Sequence, residues 1–145
     1  MIKDMQIGIA GEHLVCADLI LNGYIAYLSE QGLHYDLVCD IDGILKRVQV
    51  KTTRKPIPVP QRKIRTDKYC IHTRRCGKGG RQSYSNSDID ILAVVALDTR
   101  EIGYIPIKNV KQTMFFLTDA GINTGKSKCK KISDYKIEDC LKEIC

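Results

Sequence analysis

Ile7, Ala10, Leu14, Ala17 and Leu21 recur at the spacing of one helix face, which predicts a helix over residues 3–21 with Gly23 as its C-terminal stop. The pattern then shortens to that of strands: a run of aromatic and branched residues over 24–28, the loop 29–32, and a second run over 35–39. Asp42-Gly43 is a strong two-residue hairpin signal, and it predicts a return strand over 44–53. Alternation along that strand places Leu45, Arg47, Gln49 and Lys51 on one face and Lys46, Val48 and Val50 on the other. Pro56, Pro58 and Pro60 keep the next stretch extended and unpaired on one edge. A strand is expected over 69–73, while Gly77 to Arg81 reads as a flexible basic loop and not as a packed element. Residues 89–97 form the most apolar run of the chain and predict a central strand buried on both faces. A turn over 98–101 leads to its hairpin partner, 102–107. Residues 108–134 show no clear period, and a closing helix over 135–144 would bury Ile137, Leu141 and Ile144.

These elements fit one α/β domain with a mixed sheet, because 145 residues are one domain's worth of chain and no linker divides them. At 43% hydrophobic and 28% charged residues, disorder and low-complexity classes are excluded. No apolar run approaches the roughly 18 residues of a membrane-spanning helix. Met1-Ile2-Lys3-Asp4 leads into no signal-peptide core, so the expectation is a soluble cytoplasmic protein.

Charge changes this picture. Between residues 46 and 81 there are 13 Lys or Arg against a single acid, Asp67. So dense a block repels itself unless an anion faces it, and nucleic acid is the natural partner. The seven cysteines are an odd number at irregular spacing, and they read as free thiols. A zinc site from Cys70, His72, Cys76 and Cys129 fits no common zinc spacing. Residues 120–127 satisfy a relaxed Walker A pattern, but the chain that follows has no apolar face for the helix a P-loop requires. A surface turn is the better reading.

A second constellation carries more. Glu12 lies between Gly8/Gly11 and Leu14-Val15, where a helix carboxylate can face inward over a sheet. Asp36 opens a strand, and Gln49 and Lys51 share one side of the strand paired with it. Oxygens converging from separate elements make a hard, partly hydrated site suited to Mg²⁺. Lys51 beside them can stabilise phosphate charge or orient an attacking water.

Gly8-x-x-Gly11-Glu12, Tyr35-Asp36-Leu37-Val38 and Val48-Gln49-Val50-Lys51-Thr52-Thr53 together resemble the PD-(D/E)XK nuclease superfamily. Within it the chain resembles the small branch of group I intron-encoded homing endonucleases of cyanobacterial type; Tyr84, Asp88-Ile89-Asp90 and Tyr104-Ile105-Pro106 extend the likeness to about residue 107. The resemblance implies a restriction-endonuclease-like αβββαβ core with Glu12, Asp36, Gln49 and Lys51 at one end of the sheet. Gln49 stands where a carboxylate is usual, and Tyr35 where the superfamily has proline.

The function expected is a Mg²⁺-dependent, site-specific endonuclease, with Mn²⁺ able to substitute, acting on double-stranded DNA as a homo-oligomer (dimer or tetramer). Glu12, Asp36 and the Gln49 carbonyl hold the metal, and Lys51 acts on the water or the scissile phosphate. A basic insertion at about 54–87 grips DNA through Arg54, Lys55, Arg62, Lys63, Arg65, Lys68, Arg74, Arg75, Lys78 and Arg81. Arg74, Arg75 and Arg81 have the chemistry to read guanine edges. A Holliday-junction resolvase and a catalytically silent DNA-binding protein are the rival readings.

Overall fold

A computed structural model describes residues 1–59, 66–77, 80–82, 84–85, 88–119 and 129–145, with the backbone alone for 75–77 and 80–82. Helix α1 spans Asp4–Leu21, followed by β1 (Ile25–Leu28), β2 (Leu37–Ile41) and β3 (Ile44–Thr53). The β2–β3 hairpin turns where expected, with both central residues left-handed: Asp42 at φ 52° and Gly43 at φ 85°. A type I′ turn needs that geometry, which Asp and Gly tolerate. The Asp40 carboxylate accepts the Gly43 N–H at 2.7 Å and fixes the corner.

The middle of the chain forms β4 (Ile57–Pro58), β5 (Asp67–His72), β6 (Arg75–Gly77) and β7 (Gly80–Gln82). Two expectations are corrected here. Gly77, Gly80 and Arg81 belong to paired strands and not to a loop, because β6 and β7 pair antiparallel with Cys76 opposite Arg81, while residues 78–79 lie outside the described residues. The proline stretch is not wholly unpaired either, since Ile57 and Pro58 pair with Lys68 and Asp67. Then come β8 (Ile91–Ala96), β9 (Glu101–Pro106), β10 (Thr113–Phe116) and α2 (Ile137–Ile144). Strand β10, in the stretch whose sequence shows no period, is added to β5, and the smaller sheet runs β10-β5-β4.

The main sheet has the order β1-β2-β3-β8-β9. All its pairings are antiparallel except β3–β8, which is parallel with Gln49 opposite Leu92 and Lys51 opposite Val94. The mixed α/β sheet is thus present. Among the described residues, however, the crossover from β3 to β8 carries short strands and not the helix of an αβββαβ order. Helices α1 and α2 cover one face of the sheet, where Val15, Leu19, Val48, Val50, Ile91, Ala93, Ile137 and Leu141 form a core. Leu92, Val94, Ala96 and Ile105 point to the other face and pack against Tyr69, Ile71 and Phe116 of the smaller sheet. Strand β8 is buried along its whole length, as its unbroken apolar run requires.

Helix α1 buries Ile7, Gly11, Val15 and Leu19, and leaves Ala17 and Leu21 exposed. The expected face was therefore about one residue off. Ile9, Ile20 and Leu21 are also exposed, so apolar residues surround the helix and periodicity leaves its orientation open. Close approach decides it: a Cβ on Gly11 would collide with Thr52 Oγ1 of β3. In α2, Ile137 and Leu141 are buried as expected, whereas Ile144 is half-buried. No helix among the described residues is long and apolar enough to cross a membrane.

Candidate active site

The site forms where three elements meet at one end of the β2–β3–β8 seam. Asp36 precedes β2 directly, and its own N–H donates to the Val48 carbonyl at 2.9 Å. That bond sets the Asp36 side chain against the middle of β3. Its Oδ2 accepts the Val50 N–H at 2.8 Å and the Gln49 Nε2 at 2.7 Å. Gln49 is buried, at 9% exposure, and Asp36 is half-buried. One carboxylate oxygen is thereby pinned by two donors and cannot swing away.

Glu12 reaches the same region from α1, because Gly11 lets the helix lie close against Thr52. Burial first, and then the negative charge of Asp36, hold the Glu12 carboxyl above its usual range, with His13 opposing. Burial also raises Asp36, against the Val50 hydrogen bond, the Lys51 charge and the Gln49 hydrogen bond. Two half-buried carboxyls that each resist ionisation, one through the other, lack positive charge in the metal-free protein. The Lys51 ammonium supplies part of it. Lys51 Nζ also lies 5.5 Å from the centre of the Tyr84 ring, a cation–π distance that restrains the side chain.

This donor set fits a hard divalent cation. Glu12 and Asp36 offer carboxylate oxygens, and Gln49, whose amide nitrogen is committed to Asp36, adds an amide oxygen of the neutral, hard kind such a cation accepts. Among the described residues no group of three or more His, Cys, Asp or Glu is placed to hold a metal, so any cation rests on two carboxylates and neutral oxygens. An open groove of about 370 Å³ runs beside the site between the first turns of α1 and the end of β3. Gly8, Lys51, Thr52 and Arg54 line it.

The structure brings the four expected catalytic residues to one place, but it treats the basic residues unevenly. Arg54, Lys55 and Arg74 are exposed. Arg54 pairs with Asp4 at 2.9 Å and with the Ile2 carbonyl at 2.8 Å, which fixes it on the rim of the groove. Lys68 is a correction: it is only 6% exposed, and its Nζ donates to Cys129 Sγ at 3.4 Å, so it lies inside and not on a DNA-facing surface. Arg62, Lys63, Arg65 and Lys78, the Walker-like stretch 120–127, and the side chains of Arg75, Cys76 and Arg81 lie outside the described residues.

Sequence reasoning missed Asp90 as an organising residue. Its carboxylate accepts the Arg47 backbone N–H at 2.8 Å and the Arg47 guanidinium at 3.1 Å. Burial alone would raise Asp90, but the hydrogen bonds and charge of Arg47 outweigh it and hold the carboxyl below its ordinary range. This clamp locks the start of the parallel β3–β8 pair, whose register carries Gln49 and Lys51. Only the parallel pairing of β3 with β8, invisible in either strand alone, would have exposed its role.

The mixed sheet, the carboxylates on separate elements and the adjacent lysine define a nuclease fold of the PD-(D/E)XK type. The PD-(D/E)XK endonuclease family model matches residues 2–138, and the chain belongs to that family. In structure it is similar to a bacterial homing endonuclease, I-Ssp6803I, with a TM-score of 0.71 at 18% identity, over 96% of this chain and 92% of the other. No curated protein matches the chain.

Proposed function

We propose that this endonuclease is divalent-metal-dependent and site-specific, cutting duplex DNA by attack of water on the scissile phosphorus, with Mg²⁺ as its metal and Mn²⁺ able to substitute. The observation that carries the reading is a pair of carboxyls beside Lys51, Asp36 raised by burial and Glu12 by burial and then by the Asp36 charge, which a cation would relieve. Glu12, Asp36 and the Gln49 carbonyl hold the metal. When bound, the cation supplies charge neutralisation at the phosphate and lowers the pKa of a coordinated water.

The chain's own residues do the rest. Gln49 and the Val50 N–H fix the Asp36 carboxylate, so no reorganisation is needed when DNA arrives. Lys51, restrained by Tyr84, places a positive charge where the phosphate gains negative charge or orients the water by hydrogen bonding. The groove beside α1, with Arg54 on its rim, accommodates the sugar-phosphate backbone. Lys55 and Arg74, with the remaining basic residues of the insertion, contact phosphates, and Arg74, Arg75 and Arg81 are the candidates for base reading. A duplex has two strands and the described residues form one such site, so a symmetric homo-oligomer in the cytoplasm is the working assembly.

Supercoiled plasmid incubated with Mg²⁺, with the cut ends mapped, tests this. Nicking or linearisation at defined positions is expected. Asp36→Ala and Lys51→Ala should each lower the rate by about 10²–10³ while DNA binding persists. Near-normal single-turnover cleavage by either variant would sink the site assignment. Preference for four-way junctions would favour a resolvase, and binding indifferent to EDTA without cleavage would favour a silent DNA-binding protein.

A further inference from the structure

We propose that Lys68 and Cys129 form a reactive amine–thiol couple, a site of peroxide oxidation separate from the nuclease centre. Lys68 lies on β5, among the few charged or polar side chains buried in this fold. Among the described residues no carboxylate is paired with it, and its Nζ donates to Cys129 Sγ at 3.4 Å. A buried ammonium is costly without a counter-charge, and the neighbour here is a group that gains one by losing a proton. The contact sets a buried positive charge directly against Cys129 Sγ and so favours its thiolate. Cys129 is partly exposed, so a small reagent can reach it.

The other thiols provide the contrast. Burial pushes Cys39 up to about 11 and Cys140 up to about 12, and it raises Cys16 and Cys70 as well. The neighbouring titratable group on the C-terminal side is Tyr135, whose hydroxyl is raised by burial and then by the Cys129 charge. Lys130 lies 5.9 Å from the Tyr135 ring centre and adds positive charge to the same neighbourhood. Asp67, next to Lys68 in sequence, is exposed at the start of β5.

In the reaction, the Cys129 thiolate attacks one oxygen of hydrogen peroxide and a sulfur–oxygen bond forms. The O–O bond breaks and hydroxide leaves, becoming water by taking a proton from solvent. Sulfur is oxidised to the sulfenic acid as peroxide is reduced. Lys68 then donates to the sulfenate as it donated to the thiolate.

The test is alkylation of the full chain by iodoacetamide across pH, read by peptide mass spectrometry at each cysteine, followed by brief hydrogen peroxide treatment and sulfenic-acid trapping with dimedone. The rate at Cys129 should rise with pH at a lower midpoint than at the exposed Cys145, and dimedone should mark Cys129 first. Lys68→Met, which keeps the length of the buried side chain, should slow Cys129 alkylation at neutral pH by about tenfold, and Lys68→Arg should restore most of it. A Cys129 midpoint at or above that of Cys145 in the unmodified chain overturns the proposal whether or not the variants fold. So does an unchanged Cys129 rate in a folded Lys68→Met protein.

Discussion

Gln49 is the residue on which the site's charge balance turns. Its amide donates to Asp36 Oδ2 at 2.7 Å, an interaction that a carboxylate at this position could make only by being protonated. Gln49→Glu should therefore lower metal-free stability at pH 8 by about 1–3 kcal/mol, because a buried donor is replaced by a like charge. It should also steepen the stabilisation by Mg²⁺, since more negative charge is waiting for the cation. Urea unfolding with and without Mg²⁺ measures both; equal stability of the two proteins without metal would show that Asp36 does not depend on its amide partner. Glu12 and Asp36 give a second prediction at this scale. Their carboxyls are raised, so the fold favours their protonated forms. The stability they contribute is present below the unfolded value of about 4 and is lost as pH rises through the raised values. If both hold the metal as proposed, cleavage needs both ionised, so activity should fall on acidification above the ordinary carboxylate range, with a midpoint that moves down as Mg²⁺ is increased. Glu12→Gln removes the repulsion: it should abolish cleavage yet make the metal-free protein more stable at pH 8. A variant less stable than the parent at that pH would contradict the coupling.

At the scale of elements, the contact of α1 with β3 governs whether the site exists. Gly11 is helical, so its value lies in the absent side chain: Thr52 Oγ1 occupies the space a Cβ would take. Gly11→Ala should destabilise the fold by about 1–3 kcal/mol through overpacking, despite alanine's better helix propensity. Because the helix would be pushed off β3, Glu12 should move with it and Mg²⁺ affinity should fall in parallel. Thr52→Ala in the same chain should return most of the loss, since the two residues share one contact. Denaturant unfolding of the single and double variants reads this coupling, and simple additivity would refute it. The Arg47–Asp90 clamp works at the same scale on the other side of β3. It joins the first residues of a parallel pair that no hairpin turn could set in register.

At the scale of the molecule, the described residues of the basic block divide into two populations. Lys46 reaches the Ile144 carbonyl at 3.4 Å, Arg47 is clamped to Asp90, and Lys68 is buried. These cations hold structure together. Lys51 and Arg54 line the groove, Lys55 is exposed next to it in sequence, and Arg74 is exposed beyond β5. If about six phosphate contacts come from the exposed set, the affinity for duplex DNA should fall with a log–log salt slope of roughly −5. Titrations between low and physiological salt check this, and a flat response would mean that the block is solvated charge. Lys68→Met should leave the slope unchanged, whereas Lys55→Ala and Arg74→Ala should each reduce it by about 1.

The sequence by itself determined the local elements with strong chemical signals. Asp42-Gly43 gave its hairpin because only residues tolerant of positive φ fit that corner, and residues 91–96 gave a central strand because an unbroken apolar run can be buried on both faces. Alternation placed Gln49 and Lys51 on one side of β3, and their company with Glu12 and Asp36 made the family legible. What lay beyond a local reading was set by contacts between distant segments. The face of α1 was decided by Thr52, 41 positions beyond Gly11, because the helix is apolar nearly all round. The weakly patterned Thr113–Phe116 became a strand by adding to β5. Lys68 left the surface and Asp90 became a clamp because packing places charge by partner, and a partner 61 or 43 positions away leaves no mark in the local pattern.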